Sequence, residues 1–555
     1  MRQLITRARL AETAAAILIA SVSAFGQTGQ VPPSGLAVQV PSAQAPETVR
    51  RISVDDAVKL ALEQNLGIQI QRLDPQIQDV GVQQARSFWA PNVTSTISRS
   101  SVSNPSSSVI SPSYENGTVS GGVGFNQTLP WGGSYAANWN NSRLTTTNIF
   151  NTFSPQLQST VSLSYSQPLL RNRAIDQIRQ QVALSKKVRD LSDVNLRAVI
   201  VQTERGVKNA YWDLAYAINN AAAQRQSLAL AEQSLKDNEK RVQIGTMAPI
   251  DIVQAQAEVA SNQQNVIVAE ASIKTAEDSL RALIFDPASP EFWAIKIEPS
   301  DTAPFQESAI DVEAAVRNAL SKRSDLESAR NSIEQSDVNI RYFRNQILPD
   351  VNAQVNYGTF GLGGVQLSSV DPFGNPGAPR TILAQSGYGS VLSDVFSAAY
   401  PQWSVGVQIG YPLGSSTSQA NLARAKLQFQ QAQTQIKNLE LQIVTQVRNA
   451  ARQVQTNEQR VKSARASREL QEKKLDAEEK KFAAGMSTSF FVFQAQRDLA
   501  TARTLEIQAI SDYNKSLVDF EAVQEVPLGG GGGGVVTAGA GAIQTGGSAI
   551  IRSGG

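Results

Sequence analysis

Two side chains that are prominent in enzyme and metal chemistry are missing from this sequence, which contains no cysteine and no histidine. Without them the chain cannot build a Ser-His-Asp triad, a cysteine nucleophile, a zinc finger or a disulfide framework. A thiolate-held iron–sulfur cluster and a histidine-held haem are excluded for the same reason. We therefore expect no enzymatic activity, no cofactor and no metal site.

The chain also lacks an excess of charge of one sign, because its 50 Lys and Arg residues are nearly balanced by 48 Asp and Glu residues. The composition therefore makes no electrostatic case for binding nucleic acid. Beyond the N-terminus, the sequence has no run of about 20 apolar residues, the length that a membrane-spanning helix needs. The 555 residues would allow several domains, but the patterns below favour one continuous architecture.

The two ends of the chain differ in composition from the rest. Residues 1–26 combine three arginines, an apolar stretch from Ala14 to Val22 and small residues after it, the layout of a secretory signal peptide. Residues 27–51 are rich in Pro, Gln and Ser and predict an extended linker. Residues 525–555 include six consecutive glycines and predict a disordered tail. We therefore expect an exported protein.

The sequence also repeats itself. A shift of 258 residues places Pro91 on Pro349, and a shift of 240 residues places Gly245 on Gly485. Similar matches in the same order run through both halves of the chain, which indicates an internal duplication.

Each half is predicted to contain a helix, strands, a long helix and a second helix, which makes the fold class mainly α with membrane β. The first repeat, 52–284, has a helix at 53–88, strands and loops at 91–168, a long helix at 171–243 and a helix at 249–284. A connecting segment at 285–309 follows. The second repeat, 310–524, has a helix at 311–347, strands and loops at 350–412, a long helix at 416–484 and a helix at 489–524.

The lengths of these elements point to a spanning tube. The helix at 171–243 would be roughly 110 Å long, more than a globular domain needs. In the strands, apolar and polar residues alternate, as Trp403 and Val405 do with Ser404, and this fits a membrane barrel with a wet lumen. A sandwich with one buried face would give the same alternation. Four such strands cannot close a barrel around a lumen, for which about eight strands is the smallest useful number. Several copies of the chain would therefore have to share one barrel.

Two further alternating runs, 118–129 and 134–147, surround the turn at Pro130. The pattern fits additional barrel strands and fits an extra surface hairpin equally well.

The order ISVDDAVKLALEQN, FWAPNV, VSLSYSQPLL and VQIGTMAPIDIVQAQAEV, followed by a second copy, resembles the TolC-type outer-membrane efflux proteins, or outer membrane factors. The resemblance covers about 52–524. It implies a homotrimer in the outer membrane of a Gram-negative-type bacterium, with four strands per subunit in a shared twelve-stranded β-barrel. A trimeric α-helical barrel would extend from it into the periplasm. The implied function is a passive exit duct of a tripartite efflux or type I secretion system, with a periplasmic membrane-fusion adaptor and a proton-driven or ATP-driven inner-membrane pump.

The same resemblance places both helix–helix turns at the periplasmic tip, where adaptor hairpins engage such proteins. The candidate contact residues are Ile244, Gly245, Thr246, Ala484, Gly485 and Met486.

A candidate gate lies beside these turns. Asp251 matches an acidic residue that holds the tip shut in the enterobacterial relative, and its partner positions here are Phe482 and Ser487. The positions of that relative's acidic entrance ring carry Phe491 and Gln494. An apolar constriction formed by Phe490, Phe491 and Phe493, of the kind that gates by dewetting, is the alternative hypothesis. Packing of these rings against a neighbouring helix is a further possibility.

Two other classes of protein compete with this interpretation. An exported enzyme would need converging carboxylates, whereas adjacent acids such as Asp55 and Asp56 are typical of a solvated helix face. An exported coiled-coil scaffold or adhesin would explain the helices, but not the alternating strands.

Overall fold

The structure is a computed structural model that describes residues 48–106, 113–288, 292–293, 295–301, 305–369, 379–414 and 416–528. The expected signal peptide, the linker up to residue 47 and the glycine-rich tail from residue 529 lie outside the described residues.

Helices make up most of the described chain. In the first repeat they are α1 (Val54–Gln64), α2 (Leu66–Ser87), α3 (Gln177–Gln243) and α4 (Pro249–Ile284). In the second repeat they are α5 (Val312–Lys322), α6 (Ser324–Gln346), α7 (Tyr388–Phe396), α8 (Thr417–Ala483) and α9 (Ser489–Ala522). No helix in this part of the chain is both long enough and apolar enough to cross a membrane.

Each repeat begins with two helices where the sequence predicted one. The chain is extended at Asn65 and again at Arg323, with ψ angles of 121° and 128°. The Asn65 side chain accepts a hydrogen bond from the backbone N–H of Ile68 and so starts α2. The Arg323 guanidinium is buried against Asp325 and Gln446. The apolar periodicity continues through both breaks, so it did not reveal them.

The long helix α3 starts six residues later than predicted. Asp176 is its N-cap, and the Asp176 carboxylate accepts a hydrogen bond of 2.7 Å from the backbone N–H of Arg179. The Arg179 side chain in turn donates to the carbonyl oxygens of Arg173 and Ala174, which lie ahead of the helix. These bonds stabilise a non-helical turn at the position where periodicity alone favoured helix.

Small residues allow the long helices to pack closely. Ala255 of α4 and Ala495 of α9 have no exposed surface, and Ala495 packs with Val492 and Leu499 in one cluster. Glu506, one heptad after Leu499 in α9, forms ion pairs with Arg465 and Arg468 of α8, which neutralise its charge.

The segments at the ends of the repeats pack against the helices. β1 (Thr48–Ile52) pairs in parallel with β6 (Ile295–Pro299), and both contribute to a cluster around buried Tyr211. At the other end, Val526 is buried, and the Glu525 carbonyl accepts from the Ser324 amide at 2.9 Å. The predicted disordered tail therefore includes residues that are in fact packed.

The remaining strands of the described residues form one seven-stranded sheet. They are β2 (Asn92–Asn104), β3 (Tyr114–Thr128), β4 (Ser134–Thr146), β5 (Phe153–Pro168), β7 (Asp350–Leu367), β8 (Ile382–Ser386) and β9 (Pro401–Gly410). The order is β2-β3-β4-β5-β7, and the far edge of β7 pairs with β9 and β8 at different heights. The resemblance implied four strands per chain in a shared barrel; in the described residues β3, β4 and β8 join the same sheet as β2, β5, β7 and β9.

The sheet has one apolar face and one polar face. Along one row, Val123 lies opposite Trp139, Trp139 opposite Val161, and Val161 opposite Thr359. The adjacent row of the other face has no apolar side chain on β3, β4 and β5, where it runs through Gly122, Asn140 and Thr160, and it reaches Phe360 on β7. Side chains alternate along a strand, so the pairing register carries each pattern across all the strands.

Helix α7 lies on the apolar face, over β5 and β7. It approaches closely because β7 has a glycine beneath it: a Cβ atom on Gly361 would collide with the carbonyl oxygen of Val391. Val391 and Val395 are buried in this contact, and the Phe396 ring meets Trp139 edge-on at 6.3 Å.

Candidate functional site at the helix–helix turns

The two helix–helix turns have the same backbone structure. Each begins with a glycine in the left-handed region, Gly245 with φ 77° and Gly485 with φ 75°. The amide three positions past the end of each helix reaches back into its last turn, from Thr246 to the Arg241 carbonyl and from Met486 to the Lys481 carbonyl. This is the Schellman arrangement, and glycine adopts its left-handed position without steric cost. The corresponding turns of the two repeats thus reverse direction in the same way.

All six residues predicted to contact an adaptor are exposed, and two of them are large and apolar. Ile244 is 73% exposed and Met486 is 75% exposed. Both lie directly beside the turn glycines, so the backbone geometry holds them at the ends of the α3–α4 and α8–α9 pairs. Each turn therefore offers one large apolar contact point, before the glycine in the first turn and after it in the second.

Side chains connect the two turns. The Arg241 guanidinium lies over the Phe482 ring, 4.5 Å from its centroid, and the Ser489 hydroxyl donates to Asp251 Oδ1 at 2.8 Å. Ser489 is only 5% exposed. We call these two contacts, formed by Arg241, Phe482, Asp251 and Ser489, the tip latch. Two residues of the latch, Asp251 and Phe482, were expected from the sequence as partners of each other, but each contacts a different residue.

The two residues inferred as partners of Asp251, Ser487 and Phe482, contact other residues instead. Ser487 donates to Glu478 at 3.0 Å, and Phe482 stacks with Arg241. The residue that binds Asp251 is Ser489, two positions further along the chain. Nothing local in the sequence pointed to it, because the contact joins residues 238 positions apart.

The three phenylalanines at the start of α9 have different environments. Phe490 and Phe491 are each 54% exposed, and their rings meet at 5.6 Å. Phe493 is 6% exposed and packs inside the chain. The Gln494 side-chain amide donates a hydrogen bond of 2.8 Å to the Asp498 carboxylate, one turn further along the same helix. Of the proposed apolar constriction, the chain therefore presents only Phe490 and Phe491 outward.

Charged groups surround the latch. The hydrogen bonds from Lys481 and Ser487 lower the pKa of Glu478, and the hydrogen bond from Lys474 lowers the pKa of Asp498. Burial raises the pKa of the neighbouring Glu479, with a smaller contribution from Asp476. Across the described part of the chain, no group of three acidic side chains is arranged to hold a metal ion.

Comparison with known proteins identifies the family. The model of the outer membrane efflux protein family matches residues 132–284 and 315–523, more than half of the chain. The chain belongs to this family. This efflux protein is therefore an outer-membrane protein, and both turns and the tip latch lie inside the matched ranges. No curated protein sequence matches it.

Solved structures of outer-membrane channels share the fold of this efflux protein. VceC of Vibrio cholerae is 16% identical, with a TM-score of 0.59 over 85% of this chain and 96% of that chain. CmeC of Campylobacter jejuni is 14% identical, with a TM-score of 0.58 over 90% and 94%. The open state of MtrE of Neisseria gonorrhoeae is 16% identical, with a TM-score of 0.57 over 89% and 97%.

Proposed function

We propose that three copies of this efflux protein close into a passive exit duct. The sheets form a shared β-barrel in the outer membrane, and helices α3, α4, α8 and α9 form a tunnel through the periplasm. A proton-driven or ATP-driven pump in the inner membrane supplies the energy, and a periplasmic adaptor connects that pump to the tunnel.

The observation that carries this proposal is the pair of matching turns. Gly245 and Gly485 hold the same backbone conformation, and each turn exposes one large apolar side chain, Ile244 or Met486. In a trimer the two turns supply six such points around one opening. An adaptor that binds apolar side chains at the ends of helices would therefore find the same kind of site repeated around the opening.

The tip latch gives the duct a closed state. Widening the opening requires the α8–α9 pair to move relative to the α3–α4 pair, because the two pairs meet at the tip. That movement breaks the Asp251–Ser489 hydrogen bond and the Arg241–Phe482 stack. Both contacts are polar or cation–π contacts of modest energy, so adaptor binding is sufficient to separate them.

Complementation of a deletion strain tests the adaptor site. We expect deletion to raise sensitivity to several apolar toxicants and the wild-type gene to restore resistance. The double variant Ile244→Asp with Met486→Asp places charges at exposed positions, so it should still assemble in the outer membrane but fail to restore resistance.

The matched control is the double variant Ile244→Leu with Met486→Leu, which keeps the positions apolar and should complement. Full complementation by the aspartate variant would contradict an adaptor site at the turns. Unaltered sensitivity of the deletion strain across a broad panel would count against drug efflux.

A further inference from the structure

The hairpin formed by β3 and β4 is an integral part of the sheet. β2 does not pair with β5; instead the hairpin lies between them, with β2 paired to β3 along Asn92–Asn104 and β4 paired to β5 along Ser134–Leu144. Removing the hairpin would leave a gap two strands wide in an otherwise continuous sheet.

The hairpin also continues both faces of the sheet. Its apolar residues include Val119, Val123 and Trp139, and they share a face with Val161 and Val405 of the neighbouring strands. The same face carries two arginines, Arg99 and Arg143, opposite Val119 in the half of the hairpin farther from the helices. On the opposite face the side chains are polar, and the Ser120 hydroxyl is 2.7 Å from that of Ser98. Packing against Phe396 of α7 accounts for Trp139, but Val119 and Val123 are exposed on the same face. Exposed apolar residues in register with the membrane strands are expected of a hairpin that lies in the membrane rather than in the water above it.

The two edges of the sheet are open and compatible with each other. Every residue of β9 is exposed, and so is nearly every residue of β2. β2 runs away from the helices and β9 runs back towards them, so the edges of two copies meet antiparallel. An even number of strand positions, six, is what makes this antiparallel closure possible. Long unpaired edges of this kind are satisfied by pairing with another chain.

We propose that the β3–β4 hairpin is part of the membrane wall, so that each copy contributes six strand positions and the β9 edge of one copy pairs with the β2 edge of the next. This proposal rests on the three-copy duct described above, and with three copies it makes a barrel of about eighteen strands rather than twelve. Because barrel diameter grows roughly linearly with strand number, the membrane pore would be about 1.5 times as wide. The occupant of the apolar face is then lipid wherever α7 does not cover it.

Spin labels distinguish this wall from a twelve-stranded one, and the absence of cysteine from the sequence gives a clean background. Single cysteines replace Val123 and Ser120 in the hairpin, and Val405 and Ser404 in β9 serve as reference positions. Each labelled protein is reconstituted in lipid and exposed to oxygen, which partitions into lipid, and to a water-soluble nickel chelate.

We expect the label at Val123 to match that at Val405, with high oxygen accessibility, and the label at Ser120 to match that at Ser404, with high nickel accessibility. Nickel accessibility at both Val123 and Ser120, with oxygen accessibility at Val405, would overturn the eighteen-stranded wall and leave the duct intact. Nickel accessibility at Val405 as well would overturn the membrane sheet itself.

Disulfide cross-linking tests the edges between copies. A cysteine at Ser98 of β2 is combined with a cysteine at Gln402, Ser404, Gly406 or Gln408 of β9. Four strands separate these positions within one chain, so any disulfide joins two copies. A covalent ladder up to the trimer in at least one combination supports the proposal. Absence of a ladder in every combination overturns the pairing of β2 with β9.

Discussion

The hydrogen bond between Ser489 and Asp251 allows the most direct test of the proposed closed state of the tip. The Ser489 hydroxyl is buried and donates to Asp251 Oδ1 at 2.8 Å. Ser489→Ala removes this donor without removing a helix cap, because Thr488 is the N-cap residue of α9. The substitution therefore weakens the contact between α4 and α9 and leaves each helix in place.

The size of the effect follows from the surroundings of Asp251. A hydrogen bond to a charged acceptor contributes about 1.5–3 kcal/mol. Asp251 is partly exposed and lies in the first turn of α4, where water and the helix N-terminus still stabilise its charge. We therefore expect the closed state to lose about 1 kcal/mol, which changes the ratio of open to closed channels about fivefold.

Single-channel recording in planar lipid bilayers measures that ratio directly. Ser489→Thr keeps the hydroxyl and should behave like the wild type. Asp251→Ala and the double variant complete a double-mutant cycle, in which the two substitutions should not add because they remove the same bond. If Ser489→Ala leaves the open fraction unchanged, or if the two effects add fully, this bond does not hold the tip shut.

Three other substitutions test separate parts of the structure. Phe491→Ser should raise the closed-state current in the same bilayers, because the ring is exposed at the tip; an unchanged current would show that Phe491 is not the gate. Tyr211→Phe should cost about 1 kcal/mol at neutral pH, because the Asp301 amide loses its partner at 3.1 Å. Burial raises the pKa of Tyr211 to about 12 from 10.0, so between those pH values the unfolded state ionises first and the wild type loses stability. Chemical unfolding of the detergent-solubilised proteins at a series of pH values measures this. The free energies of unfolding of the wild type and of Tyr211→Phe should converge over this range, and a constant difference between them would contradict the raised pKa of Tyr211. Gly361→Ala should displace α7 by colliding with the Val391 carbonyl, seen as faster proteolysis within 388–396, while Gly387→Ala, which has open space around it, should have no such effect.

Local features of the sequence were enough to predict the duplicated order of helices and strands and the two turns. Gly245 and Gly485 stand between long periodic segments, and a helix that ends at a glycine in this conformation needs only neighbouring residues to form its turn. The family resemblance rested on the same local signals, which is why the duct could be predicted before the structure was known.

Contacts between distant residues were not predictable in this way. Asp251 binds Ser489 rather than the positions inferred for it, because the choice depends on how α4 and α9 lie against each other. The break at Arg323 likewise depends on Gln446, more than a hundred residues away.

The sheet shows the same division. Alternation in 118–129 and 134–147 determined that these runs have one apolar face, since side chains on a strand point to opposite sides. It did not determine where the strands lie, because an isolated hairpin and a hairpin inserted between β2 and β5 have the same local pattern. Only the tertiary structure decided that, through backbone hydrogen bonds between strands that are far apart in the sequence.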